Sequence, residues 1–351
     1  AALDEAELAA LADKAEALRA RQAQVDDPAI LPRVTLADVP PPVPAPRAEV
    51  SVENGVEVHA FPCAANGIFR AQLVFDLPPL TAEELRVLPL FSDYLTEFGC
   101  GDEDYLAVQT RRALVGSFGT NTMARPPVTG GALQGWFVLS GKGLARKRDQ
   151  VLGVMNEILA GARFDETERL AELLLQSRAE AEQSITDRGH QLAVISAARE
   201  FSPAAALDDL WDGPTSIRLL KDLAARDDEA ALRALLATFA AIRDKLAHAP
   251  RRVALFGDAA PLAAAIGAPR APLAAPFEAR LEAGDSPAGW LAAAQVNFLA
   301  KAYAAVPEDH PDAPLLTVLG RYLQDGYLHG AIREKGGAYG SGAGYDPDSA
   351  T

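Results

Sequence analysis

The periodicity of apolar positions divides the 351 residues into distinct blocks. From Leu3 to about Val25, Leu8, Leu11, Ala15 and Leu18 recur at helical spacing with Glu, Lys and Arg opposite, which predicts one amphipathic helix. Asp26-Asp27-Pro28 ends it. Pro32 and the run Pro40-Pro41-Pro42-Val43-Pro44-Ala45-Pro46 then predict a stiff connector up to residue 48. Strand-like runs follow at Val50–Phe61 and Phe69–Leu77; in the second, Leu73, Phe75 and Leu77 alternate with Val74 and Asp76. Thr81-Ala-Glu-Glu84 is a capping-box pattern and opens a helix with Leu85, Leu88, Phe91, Leu95 and Phe98 on one side, closed by Gly99. Asp104 caps a further helix to about Leu114, and Gly116–Met123 and Ala132–Ser140 read as strands. Leu144 to Leu246 reads as nearly continuous helix in several pieces, and Arg252–Phe256 as a strand returning to the sheet. Strands, helices, then a strand predict an α+β domain over 49–268, with helices packed on one face of a sheet.

Residues 269–289, rich in Pro and Ala, form the next expected linker. Beyond it an earlier order recurs: a strand-like run at Gln295–Tyr303, a Pro-containing loop, and a helix carrying Leu315, Val318, Leu319, Tyr322 and Leu323. Leu88, Tyr94 and Leu95 match Leu316, Tyr322 and Leu323 at one offset, 316 − 88 = 228. The repeat predicts that residues 290–351 are the start of a second homologous domain, with Thr351 falling inside it.

Composition narrows the partners. The 33 basic and 48 acidic residues leave a formal charge of −15, which argues against nucleic acid and leaves a preference for basic ligands open. No window is long and apolar enough for a membrane span. Cys63 and Cys100 show neither metal spacing nor a disulfide framework, so a reduced, cytoplasmic compartment is expected.

Local catalytic motifs are sparse. His59, His190, His248, His310 and His329 are never three or four residues apart, which excludes a zinc site built from paired histidines on one helix face. Glu166, Glu168, Glu172, Glu180 and Glu182 read as a solvated helix face. Gly340-Ser-Gly-Ala-Gly344 lacks the flanking strand and helix of a dinucleotide loop and reads better as backbone approached closely by another chain segment. Arg333 and Tyr339, six residues apart, have two readings. One is a surface arginine after a helix and a sheet-face tyrosine. The other is a clamp for a polypeptide backbone, in which a rigid fork of donors and a phenol flank glycines that allow close approach.

Arg333-Glu-Lys-Gly-Gly-Ala-Tyr339-Gly resembles the C-terminal substrate-binding motif of the pitrilysin-type zinc metallopeptidases, and most resembles their presequence protease branch. Leu88-Pro-Leu-Phe-Ser-Asp-Tyr-Leu-Thr-Glu-Phe-Gly99 resembles that branch's third domain, and the opening helix resembles the end of the hairpin joining the two halves. The resemblance implies a pitrilysin-like α+β fold, one complete copy followed by the beginning of another. It implies that Leu90 and Tyr94 stand where the zinc-binding histidines of an active domain would be, with Asp93 at the general-base position. No catalytic or metal-binding residue is therefore expected in this chain; zinc would belong to an N-terminal catalytic half. Arg333 and Tyr339 would orient an unfolded peptide substrate, and the chain by itself would be inactive. A stand-alone inactive subunit paired with an active half, or a scaffolding module, are the alternatives.

Overall fold

The structure is a computed structural model describing residues 4–25, 27–128, 131–226, 228–257, 270, 272–273, 275, 277–279 and 289–351. It comprises two compact units, Ala1–Pro46 and Arg47–Thr351. Most of the expected linker at 269–289 lies outside the described residues.

In the first unit, α1 (Glu5–Ala23) starts at a capping box in which Asp4 and Glu7 exchange backbone-to-carboxylate bonds of 2.8 and 3.0 Å. Its apolar stripe stays exposed, with Leu8, Leu11 and Leu18 all more than half accessible.

The second unit is built on a six-stranded mixed sheet in the order β1-β2-β6-β3-β5-β4. Its strands are β1 (Glu49–Glu53), β2 (Val56–Phe61), β3 (Ile68–Asp76), β4 (Gly116–Arg125), β5 (Gln134–Leu144) and β6 (Arg251–Phe256). The run expected as one strand at Val50–Phe61 is a hairpin. Asn54 and Gly55 take φ of 49° and 77°, the paired left-handed conformation of a tight two-residue turn. The returning strand β6 enters the middle of the sheet, parallel to β2 and antiparallel to β3. Phe61 and Phe256, opposite each other in the parallel pair, stack with centroids 4.9 Å apart.

On β3 the alternation expected from sequence is realised. Phe69, Ala71, Leu73 and Phe75 are buried on one face. Against that face pack α2 (Ala82–Tyr94), α4 (Arg148–Gly161), the long α5 (Thr167–Ala198) and α8 (Glu229–His248). Gly141 on β5 allows α4 to approach, because a Cβ there would lie 2.6 Å from Met155 Sδ. The remaining helices of this layer are α3 (Tyr105–Val115), α6 (Pro203–Asp212) and α7 (Pro214–Ala224). The helical stretch read as pieces from Leu144 to Leu246 is thus α4 to α8. Among the described residues, no helix is long and apolar enough to cross a membrane.

At the centre of the core lies α2. Phe91, fully buried, meets Phe137 of β5 at 5.8 Å and Phe239 of α8 at 5.9 Å. Its first turn is held by the predicted capping box: the Glu84 amide donates to Thr81 Oγ1 (3.2 Å) and the Thr81 amide to Glu84 Oε2 (2.7 Å). Glu84 also accepts from Lys245 Nζ of α8 at 2.6 Å. Burial raises its carboxyl, but Lys245 and Thr81 outweigh burial and hold it below the usual carboxylate range. Pro89 interrupts the helix, and since it has no N–H, the Leu85 carbonyl loses its helical donor. The indole Nε1 of Trp211 on α6 donates to that carbonyl at 3.0 Å.

Of the expected repeat, the helix forms as α9 (Ala313–Leu323), continued by a π-helical stretch, Gln324–Lys335. The strand expected at Gln295–Tyr303 does not form. A strand needs a ladder partner, and this segment meets α5 through side chains instead. Trp290 Nε1 donates to Ser196 Oγ at 3.0 Å, Arg218 lies over the Trp290 ring at 4.7 Å, and Phe298 packs so tightly on Gly189 that a Cβ there would clash.

Replacing Trp211 with Phe should cost about 1–3 kcal/mol, because it leaves a buried carbonyl unpaired. Starting from Pro89→Ala, whose residue 89 amide can take over that carbonyl, the cost should fall by about 1 kcal/mol; chemical denaturation of the four-member cycle measures this coupling. Glu84→Gln keeps the reciprocal cap and removes the ion pair, with a loss of about 1 kcal/mol near pH 7 after allowing for the partly exposed Lys245. Because the folded pKa of Glu84 is depressed, its contribution is present above the unfolded value near 4.5 and is lost as pH falls through the folded value. The stability difference between the two proteins should therefore vanish toward about pH 3, read from urea melts across pH.

Candidate functional site

Helix α2 places the five residues Leu90 to Tyr94 in distinct settings. Leu90 is half-buried against the core, and Phe91, Ser92 and Tyr94 are buried. The Tyr94 hydroxyl donates to Ser177 Oγ (2.8 Å) and lies 3.2 Å from the Leu173 carbonyl, both on α5. Burial pushes its pKa up to about 12 despite the Ser177 bond, so it remains a neutral phenol at physiological pH. Asp93 lines a cleft where crowding by protein, and secondarily the charge of Glu180, raises its carboxyl above the ordinary range. This helix does not fit a zinc ion: Leu90 has no donor atom, and the Tyr94 oxygen is committed to α5. Among the described residues, no group of three or more His, Cys, Asp or Glu side chains is placed to hold a metal.

Arg333 lies in the last turn of the π-helical stretch. The helix ends as the Gly337 amide donates to the Arg333 carbonyl (3.0 Å) and the Ala338 amide to the Ile332 carbonyl (3.1 Å). Gly337 takes φ 73°, the left-handed turn that glycine adopts without strain. Tyr339 follows at 94% exposure. Arg333 is exposed as well, and neither side chain has a hydrogen-bond or ion-pair partner among the described residues. Both are thus displayed outward. The close backbone approach expected near Gly340–Gly344 occurs against α9, where a Cβ on Gly320 would lie 3.2 Å from Gly344 Cα.

The acidic run on α5 is only partly a solvated face. Glu166 Oε2 accepts from the Gly99 amide at 2.7 Å, tying the end of α2 to the start of α5. Glu172 pairs with Arg169, and Glu182 with both Arg178 and Lys221. Both cysteines are free thiols, Cys63 exposed and Cys100 buried.

A cleft of about 300 Å³ opens between α2, the edge strand β4 and α6. Sequence reasoning missed it, because its walls come from residues near 90, 122 and 210 with no shared local pattern. Asp208 on α6 is raised to about 6, first by burial and then by the charges of Asp346, Asp348 and Asp212.

Residues 1–223 match the family described as peptidase M16, subgroup C, associated, and the chain belongs to that family. It is similar to the protein named presequence protease, mitochondrial, of Danio rerio, with 29% identity over 94% of this chain and 36% of the relative. The protein of that name from Xenopus laevis is 25% identical over 97% of this chain and 37% of its own. Presequence protease 1, chloroplastic/mitochondrial, of Arabidopsis thaliana is 26% identical over 99% and 33%. The chain spans about a third of the length of these relatives. Their names place them in mitochondria and chloroplasts, not in the cytoplasm expected here from cysteine usage. Among solved structures, the peptidase M16 inactive domain from Pseudomonas fluorescens superimposes with TM-score 0.48 at 16% identity, covering 86% of this chain and 71% of that one. A conserved protein from Enterococcus faecalis V583 gives 0.47 at 18%, covering 68% and 54%.

Tyr94→Phe should destabilise the domain by about 1–2 kcal/mol, because the Leu173 carbonyl and Ser177 lose a buried donor. A thermal melt unchanged from the parent would show that the Tyr94 hydroxyl carries no weight.

Proposed function

We propose that this chain is the C-terminal, non-catalytic portion of a zinc-dependent, oligopeptide-degrading metalloendopeptidase. In this role it helps close the chamber and orients the peptide. The observation that carries this reading is the state of α2. At the positions where the resemblance puts zinc ligands, this helix has a packed leucine and a neutral, hydrogen-bonded tyrosine. The similarity to presequence proteases, of which the chain spans about a third, supports a catalytic half elsewhere in the parent protein. No metal-dependent step is assigned to this chain.

Its own contribution would come from Arg333 and Tyr339. Both are exposed and unengaged, so their donors are available without first breaking an internal bond. The guanidinium can donate two parallel N–H bonds to a peptide carbonyl or carboxylate, and the phenol one O–H bond. Two anchors on one extended backbone restrict rotation and slippage, which raises the fraction of bound peptide in a reactive pose.

In the full-length parent protein, Arg333→Ala should lower kcat/KM for an unstructured peptide by about tenfold to a hundredfold, and Tyr339→Phe by about threefold to tenfold, with zinc content unchanged. The 351-residue chain alone should show neither stoichiometric zinc nor cleavage. One tightly bound zinc per chain together with EDTA-sensitive peptidase activity would overturn the proposal.

A further inference from the structure

The cleft between α2, β4 and α6 has no part in the role of Arg333 and Tyr339. Asp93 and Asp208 stand on opposite walls, and among the described residues no cation is paired with either. Asp212, beside them, is paired with Arg188 at 2.5 Å. Around this mouth Glu180 of α5 faces Asp93, and Asp346 and Asp348 of the C-terminal segment face Asp208. One guanidinium thus stands against six carboxylates, a local excess of negative charge that attracts a cation.

A second feature points to a ligand. Ser92, 2% exposed, lines the cleft, and its Oγ has no hydrogen-bond partner; the buried Thr122 Oγ1 on β4 has none either. Buried hydroxyls are ordinarily satisfied, so two unmatched ones beside two unpaired carboxylates form an acceptor set without a donor. The carboxylates do not converge closely enough to chelate a metal ion. A longer cation with several N–H groups matches the spread, and a guanidinium offers five donors in a plane. Trp211 adds an aromatic wall, a surface on which guanidinium stacks. Consecutive residues Asn121–Ala124 of edge strand β4 form another wall, so main-chain groups of an outer strand lie beside the acidic mouth. That placement suits a cation carried on an extended polypeptide.

We propose that this cleft binds an arginine side chain of an extended peptide, held between Asp93 and Asp208, with the hydroxyls of Ser92 and Thr122 accepting its remaining N–H groups. The site is independent of Arg333 and Tyr339.

The test is calorimetric titration of the full chain with a short Ser/Ala-rich peptide bearing one central arginine, and with the same peptide bearing neutral, near-isosteric citrulline. The arginine peptide should bind at least about tenfold tighter near pH 7.5, and the preference should shrink as salt rises. It should also shrink as pH falls through about 6, where Asp208 takes up a proton. Asp93→Asn and Asp208→Asn should each reduce the preference, and the double variant should abolish it, with a thermal melt confirming folding. If the double variant does not fold, the single variants and the citrulline comparison decide. Equal binding of the two peptides, or a preference that survives both single variants, overturns the proposal. Agmatine binding as tightly as the arginine peptide would overturn the part assigned to the polypeptide. Arg333→Ala should leave the preference intact, so failure here and failure of the substrate-orienting role are separable.

Discussion

The second unit depends on the burial of α2. The helix lies between the sheet and α8 with Leu85, Leu88, Phe91 and Tyr94 at 3% exposure or less, so any polar group it carries inward must find a partner from a neighbouring element. Three such needs are met, each by a different helix. Trp211 of α6 serves the carbonyl that Pro89 frees, α5 serves the Tyr94 hydroxyl, and Lys245 of α8 serves Glu84. Each partner fixes one helix against α2, which gives the layer a defined arrangement beyond what nondirectional apolar contact would impose. Ser92 is the exception, and it borders the cleft.

Much of this was legible locally. The alternation on β3, the capping box at Thr81 and Glu84, and the amphipathic run through Phe91 are short-range patterns set by backbone geometry. The hairpin at Asn54-Gly55 was equally local; its turn dipeptide lies inside an apolar run and was overridden by it. The place of β6 was not legible, because ladder order is decided by contacts between distant segments. The strand expected at Gln295–Tyr303 rested on apolar content, which also suits a segment docking Trp290 and Phe298 onto α5. The compensation of Pro89 by Trp211 joins residues more than a hundred positions apart, and neither signals the other.

Arg333 and Tyr339 show how little of a binding role is visible in one chain. Their spacing carried the resemblance, yet the structure displays them outward with no internal partner to fix their rotamers. Side chains that recognise a backbone lying beyond the molecule have no reason to be ordered by the molecule itself. Their conformational entropy is lost only when the ligand arrives.

The entry of β6 into the sheet bears on how the domain is made. The hairpin β1–β2 and the meander β3–β5–β4 share no ladder; β6 alone bridges them. Its parallel partner β2 lies roughly two hundred residues earlier, as Val58 opposite Val253 shows. During synthesis the meander can pair and recruit α4 while the hairpin has nowhere to attach. Until residues 251–256 emerge, the facing edges of β2 and β3 stay unpaired, open to misplaced strands or to a chaperone. A ribosome must therefore travel through all of α4 to α8 before this sheet can become continuous, so completion of the domain is a late, long-range event even though most of its helices are local.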